Sequence, residues 1–172
     1  MMAKEKNYKE CITTPFETGI RNFSAVAKYF LYYAPDIDSA QTVGKIEADD
    51  ADQLVCTMLN GTGMASNSKI LKKIQPKSWA SFGLDQEKLD FEKACMVIDK
   101  YSTETDLHAL LRHIRNALAH GYVYVWKKKK GNFVFLVDFD AKKNKPTAKI
   151  MVSMEILERW KALIENHIAI GE

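Results

Sequence analysis

Cysteine is scarce in this chain. Its three residues, Cys11, Cys56 and Cys95, lie far apart with no C-x-x-C pair. An odd, dispersed set argues against a disulfide framework and a thiolate zinc site, so these thiols read as small hydrophobes. The four histidines form no H-E-x-x-H pattern, and no group of carboxylates, histidines or cysteines has ligand spacing. No metal and no cofactor is therefore expected. Long apolar runs are also missing, none approaching the roughly 20 residues a membrane helix needs. The polar start Met1 to Lys6 is not followed by a signal-type apolar stretch. The expectation is a cytoplasmic protein with no membrane partner. Asn60-Gly61-Thr62-Gly63 lacks the G-K-[ST] that would make a phosphate loop, and reads as a turn.

What is present is an ordinary globular balance. The 172 residues, 47% hydrophobic and 27% charged, suit one domain over 1–172 with its own core. The net charge of +3 is unevenly spread. From Arg112 to Lys149 ten Lys or Arg face two acids, a balance of +8, whereas the rest, with 15 basic and 20 acidic residues, carries −5. Such asymmetry fits a polyanionic partner met by one face, although lysines also populate exposed hairpin turns for solubility.

Hydrophobic spacing predicts mostly helix. Thr14-Pro15-Phe16-Glu17 has the form of a capping box, and Phe16, Ile20, Phe23, Ala27, Phe30 and Leu31 follow at helical spacing up to Pro35. Further helices are expected at about Glu47 to Leu59, Ser66 to Ile74 and Asp85 to Lys100. Another, capped by Thr103 or Thr105, should end at Gly121. The period then shifts to two. Tyr122 to Trp126, Phe133 to Asp140 and Thr147 to Val152 read as strands, and Ser153 caps a last helix. The expected fold class is mainly α: a helical bundle over about 14–120, a small antiparallel β meander over about 122–152, and a C-terminal helix over about 153–168.

One local string carries chemistry: Arg112-His113-Ile114-Arg115-Asn116-Ala117-Leu118-Ala119-His120-Gly121-Tyr122. Arg115, the polar Asn116 directly after it, and His120 match the Arg-polar-x-x-x-His signature of the HEPN superfamily. The apolar lead-in, the glycine after the histidine, and the order of helices, motif, strands and final helix resemble its small stand-alone bacterial members. The specific resemblance covers roughly a quarter of the chain. It implies a HEPN-like helical bundle and metal-independent RNA endonuclease activity in a toxin or antiphage effector, leaving a 2′,3′-cyclic phosphate and a 5′-hydroxyl. The alternative is a non-catalytic HEPN module that binds RNA, nucleotide or a partner protein.

The residue types suit the chemistry. Metal-free RNA cleavage needs a base for the 2′-hydroxyl proton, an acid for the leaving oxygen and a cation on the phosphate. Histidine titrates near neutrality, which gives His120 a proton-transfer role, and an arginine such as Arg115 can hold two phosphate oxygens. Asn116, one helical turn before His120, can orient its ring or the substrate. Five residues amount to about 140° of helix rotation, so Arg115 and His120 do not share an ideal helical face. The resemblance offers an answer, because HEPN proteins commonly dimerise with their motif helices side by side. A homodimer would supply a second histidine to a composite cleft.

Competing readings stay open. His120 beside Gly121 can cap the helix's last carbonyls, and Arg115 can be a plain surface cation. His108, Arg112 and His113 read as solvated helix residues, with Arg112 a supporting phosphate contact. Lys127, Lys128, Lys129 and Lys130 can bind an RNA backbone or form a solvated hairpin tip. Tyr122, Tyr124 and Trp126 stack on bases or pack in the core. Tyr122 also completes Arg-x4-His-x-Tyr, which resembles HEPN toxins whose tyrosine is modified by a nucleotidyltransferase antitoxin. On that reading an antitoxin or regulatory protein is a further partner.

Overall fold

The computed structural model describes residues 19–35, 46–85, 89, 93–128, 131–140, 142 and 144–171. It is not a mainly-α bundle. Among the described residues helix makes up 48% and strand 25%, and the strands join into one five-stranded mixed sheet. The chain runs α1 (Phe23–Lys28), a wide π turn (Tyr29–Tyr33), α2 (Ala48–Gly61), β1 (Ser68–Leu71), α3 (Pro76–Ala80) and β2 (Cys95–Asp99). It continues through α4 (Asp106–Ala119), β3 (Val123–Lys128), β4 (Gly131–Asp140), β5 (Lys145–Ser153) and α5 (Met154–Gly171).

The expected bundle over 14–120 is interrupted by two strands. Where Ser66 to Ile74 read as helix, a short 3-10 turn leads into β1. The segment that read as helix up to Lys100 ends in β2. For β2 the cause is burial on both sides. Met96 and Ile98 join the core beneath the main helices, while Cys95 and Val97 join a second core with Trp79, Leu84 and Phe135 on the opposite face. A strand covered on both faces has no polar alternation, and its short apolar run cannot be told from a buried helix by period. β1 pairs parallel with β2, whose other neighbour is the antiparallel β5; the order is β1-β2-β5-β4-β3. A parallel pair needs a long crossover, here the stretch that carries α3.

The first helix is also shorter than its stripe suggested. The Thr14 capping box lies outside the described residues. Gly19 and Asn22 are left-handed (φ 61° and 63°), so α1 starts at Phe23. Ile20, Phe23, Ala27, Phe30 and Leu31 are nonetheless buried, and Ala34, just before Pro35, is extended. The three later strands lie within a few residues of their expected bounds. Val123, Val125, Val134, Leu136, Ile150 and Val152 face the helices and their alternating neighbours face the second core, as period-two spacing requires. Ser153 Oγ accepts the Ile156 amide (3.3 Å) at the start of α5. Among the described residues no helix is long and apolar enough to cross a membrane.

Candidate active site around helix α4

Helix α4 packs on the sheet through Leu107, Leu110, Leu111, Ile114, Ala117 and Leu118, all buried. Thr105 caps its start, its Oγ1 accepting the His108 amide (3.1 Å). Its end is closed by backbone alone. The Gly121 amide donates to Leu118 O (3.3 Å) and the Tyr122 amide to Ala117 O (2.9 Å). Gly121 sits at φ 71°, which together makes a Schellman closure. The His120 amide also donates back, to Asn116 O (2.9 Å). The carbonyls of Asn116, Ala117 and Leu118 therefore have partners without the His120 ring, which makes no hydrogen bond among the described residues. That geometry leaves the imidazole exposed and free of a capping task.

Arg115 and His120 line one cleft of about 470 Å³, with Tyr32, Leu31, Leu118 and Gly121 as its other walls. The helix turn that separates them by angle ends at His120, so its ring lies beyond the last regular turn. Arg115 makes no ion pair or hydrogen bond within the described residues. Tyr32, 43% exposed, comes from the π turn. Sequence reasoning missed it; the only signal was a tyrosine lying off the apolar stripe of α1.

The other expected residues are placed elsewhere. Asn116 turns from this cleft, and its Nδ2 donates to Asp138 Oδ2 (3.1 Å). With Arg112, Asp99, Tyr101 and Asp138 it lines a second cavity of about 470 Å³ on the neighbouring side of α4. The charge of Arg112 is already matched. Its Nε and Nη2 donate to the two Glu104 oxygens (2.6 and 3.0 Å), its Nη2 reaches Asp99 Oδ1 (3.4 Å), and Tyr101 lies against the guanidinium at 4.4 Å. Burial pushes the Glu104 and Asp99 carboxyls upward. The Arg112 hydrogen bond and the Tyr101 amide on Glu104, and the His113 and Arg112 contacts on Asp99, outweigh it and hold both below their usual values.

His113 is the largest departure from the sequence reading. It is fully buried rather than solvated. Nδ1 lies 2.7 Å from Asp138 Oδ2, and Nε2 lies 2.8 Å from Asp99 O and 3.1 Å from Asp99 Oδ1. Burial works against its charged form, but the hydrogen bonds to Asp138 and Asp99 prevail and raise its pKa above the ordinary histidine value. A signal existed, because Leu110 and Ala117, three before and four after, place His113 on the apolar face.

Tyr122 precedes β3, is 41% exposed and packs edge-on against Phe139 (4.9 Å), with the His120 ring 6.4 Å away. Lys127 is exposed at the far end of β3. The side chain of Lys128 is not described, and Lys129 and Lys130 lie outside the described residues. The last residue of β3, Lys128, is about five strand rises, on the order of 17 Å, from its first, Val123. Tyr124 and Trp126 belong to the partly buried margin of the second core. Among the described residues no group of three or more His, Cys, Asp or Glu is arranged to hold a metal ion.

Comparison with known proteins agrees with the motif. Neither the curated proteins nor the solved structures include a match to this chain. The family described as HEPN pEK499 p136 matches over residues 52–168, which spans most of α2, the whole sheet, α4 and most of α5. The chain therefore belongs to the HEPN pEK499 p136 family of the HEPN superfamily.

Proposed function

We propose that this protein is a metal-independent RNA endonuclease whose active site is completed by a second copy of the chain, working as a toxin or antiphage effector. The observation that carries the reading is the shared cleft at the end of α4. It holds an arginine with no ion pair among the described residues and an exposed histidine released from helix capping. The RNA 2′-oxygen attacks phosphorus as one imidazole takes its proton. The bond from phosphorus to the 5′-oxygen then breaks, and a second imidazole protonates the departing oxygen. Arg115 holds the non-bridging oxygens as charge builds on them. Each chain brings one histidine to its cleft, so base and acid are His120 and His120 of the partner subunit. Tyr122, exposed beside His120, is placed for control by a modifying antitoxin.

The test is cleavage by purified His120→Ala protein, with melting and RNA binding measured alongside. Loss of a general acid or base should lower the single-turnover rate by roughly 10²–10⁴-fold. Melting should stay within about 1 kcal/mol of wild type, since no described contact of the ring holds the fold. Near-wild-type cleavage by a folded His120→Ala protein overturns the site, and activity abolished by EDTA and restored by magnesium overturns the metal-free route.

A further inference from the structure

The chemistry of the cleft leaves one buried group without a task. His113 lies on the buried face of α4, two residues before Arg115, and its hydrogen bonds go to Asp138 and Asp99, not to the cleft. Its hydrogen-bond partners are enough to define its protonation. Nε2 faces the Asp99 carbonyl oxygen at 2.8 Å, and a carbonyl only accepts, so Nε2 carries a hydrogen. Nδ1 faces Asp138 Oδ2 at 2.7 Å. That carboxylate already accepts at both oxygens, Oδ2 from the Asn116 amide (3.1 Å) and Oδ1 from the Phe139 amide (2.9 Å). An ionised carboxylate has no hydrogen to give, so against it Nδ1 is the donor. A ring that donates from both nitrogens is an imidazolium.

The four residues come from three elements. His113 and Asn116 belong to α4, Asp138 to β4, and Asp99 closes β2. We infer that His113 is held as a buried imidazolium between Asp138 and Asp99, an ionic clamp that locks α4 onto β2 and β4. Asn116 acts as its second arm through Asp138 and so is a positioning residue, not a group of the cleft. The charged groups around the ring are Asp138 from β4, Asp99 from β2 and Arg112 from α4 itself. Arg112 is neutralised by Glu104, so the two aspartates dominate. Buried ion pairs often add little net stability, and their best-attested use is to set register. Here the register is that of the helix carrying Arg115 and His120. If α4 slides on the sheet, Arg115 and His120 move relative to Tyr32. The effect on turnover rests on the proposed endonuclease reading; the protonation state does not.

The experiment is ring-nitrogen NMR of His113 in the full chain, with no RNA present. Both nitrogens should read as protonated at pH 7 and above, where a solvent histidine has become neutral. A bare nitrogen at pH 7 overturns the clamp. In Asn116→Ala, Asp138 loses one donor and leans more on His113, so the His113 titration should move further upward. An Asn116 that served only the cleft would leave it unmoved, and that result overturns the second arm. Asp138→Asn should move the titration down to near or below the ordinary histidine range; if that variant does not fold, the wild-type and Asn116→Ala spectra decide alone. Should wild type prove to cleave RNA, folded Asp138→Asn should lose on the order of 10²-fold in rate, as expected for a displaced catalytic helix. A folded Asp138→Asn protein with wild-type cleavage overturns the positioning claim. An inactive wild type fails the function while the NMR result still stands or falls by itself.

Discussion

Two sides of helix α4 differ in how their polar groups are engaged. On the side of Asp99 and Asp138, His113, Asn116 and Arg112 are bound to carboxylates of the sheet and of Glu104, leaving little for a ligand. Around the turn, Arg115 and His120 face a cleft with no described ion pair or hydrogen bond. The same eleven-residue string supplies both sets. Saturated groups buried in low dielectric hold structure, whereas unsaturated groups at a solvent-open cleft retain the capacity to bind and transfer protons. A polar residue in a motif is therefore not a site residue until its partners are known, as Asn116 shows.

The contrast can be broken by substitution. Asp138→Ala leaves a buried imidazolium with one partner, and the cost should be about 3–5 kcal/mol by chemical denaturation. Arg115→Ala, by the same measurement, should stay within roughly 0.5 kcal/mol of wild type. Equal losses would erase the distinction between a closed side and an open one.

Gly121→Ala should cost on the order of 1–2 kcal/mol, because the left-handed backbone at φ 71° is strained for alanine. Nothing lies within 4 Å of the added carbon, so the cost is conformational and not steric. A neutral result by thermal melting would show that the end of α4 can rearrange, and that the position of His120 is less fixed than the Schellman closure implies.

Melting against pH sharpens the closed side. The His113 pKa is raised on folding, so its contribution is fully present below about 6.5 and fades as pH rises through the folded value. Those of Asp99 and Glu104 are lowered, so their contributions are present above about 4 and are lost as pH falls through the folded values. Stability should be highest in the mildly acidic range. The alkaline decline should vanish in a folded His113→Gln variant; a decline that persists there belongs to another group.

The smallest effect concerns the hairpin tip. Replacing Lys127 to Lys130 with glutamine should weaken RNA binding and flatten its salt dependence, by a slope of about 0.7–0.9 for each phosphate no longer neutralised. The cleavage step itself should be unchanged. An unaltered salt slope would assign those lysines to solubility and leave RNA binding to the cleft.

Much of the molecule was legible from residue spacing. The β3, β4 and β5 alternation, the Thr105 cap, the Gly121 stop and the Arg115 to His120 string are local patterns, set within a few residues by backbone geometry and by which face is wet. β1 and β2 were not legible. β1 is a four-residue edge strand, too short to show a period; β2, covered on both faces, shows no alternation, and Phe91, Ala94, Cys95 and Ile98 fall at helical spacing as well. His113 was half legible: its place on the apolar face was in the sequence, but its partners come from 14 and 25 residues away. The sequence by itself determined the motif, the helix that carries it and the end of that helix. Tertiary structure alone decided that the fold is built on a mixed sheet and that Asn116 and His113 serve that sheet. It also decided that Tyr32 joins Arg115 and His120. Contacts across long loops depend on which surfaces meet, and no local period records that.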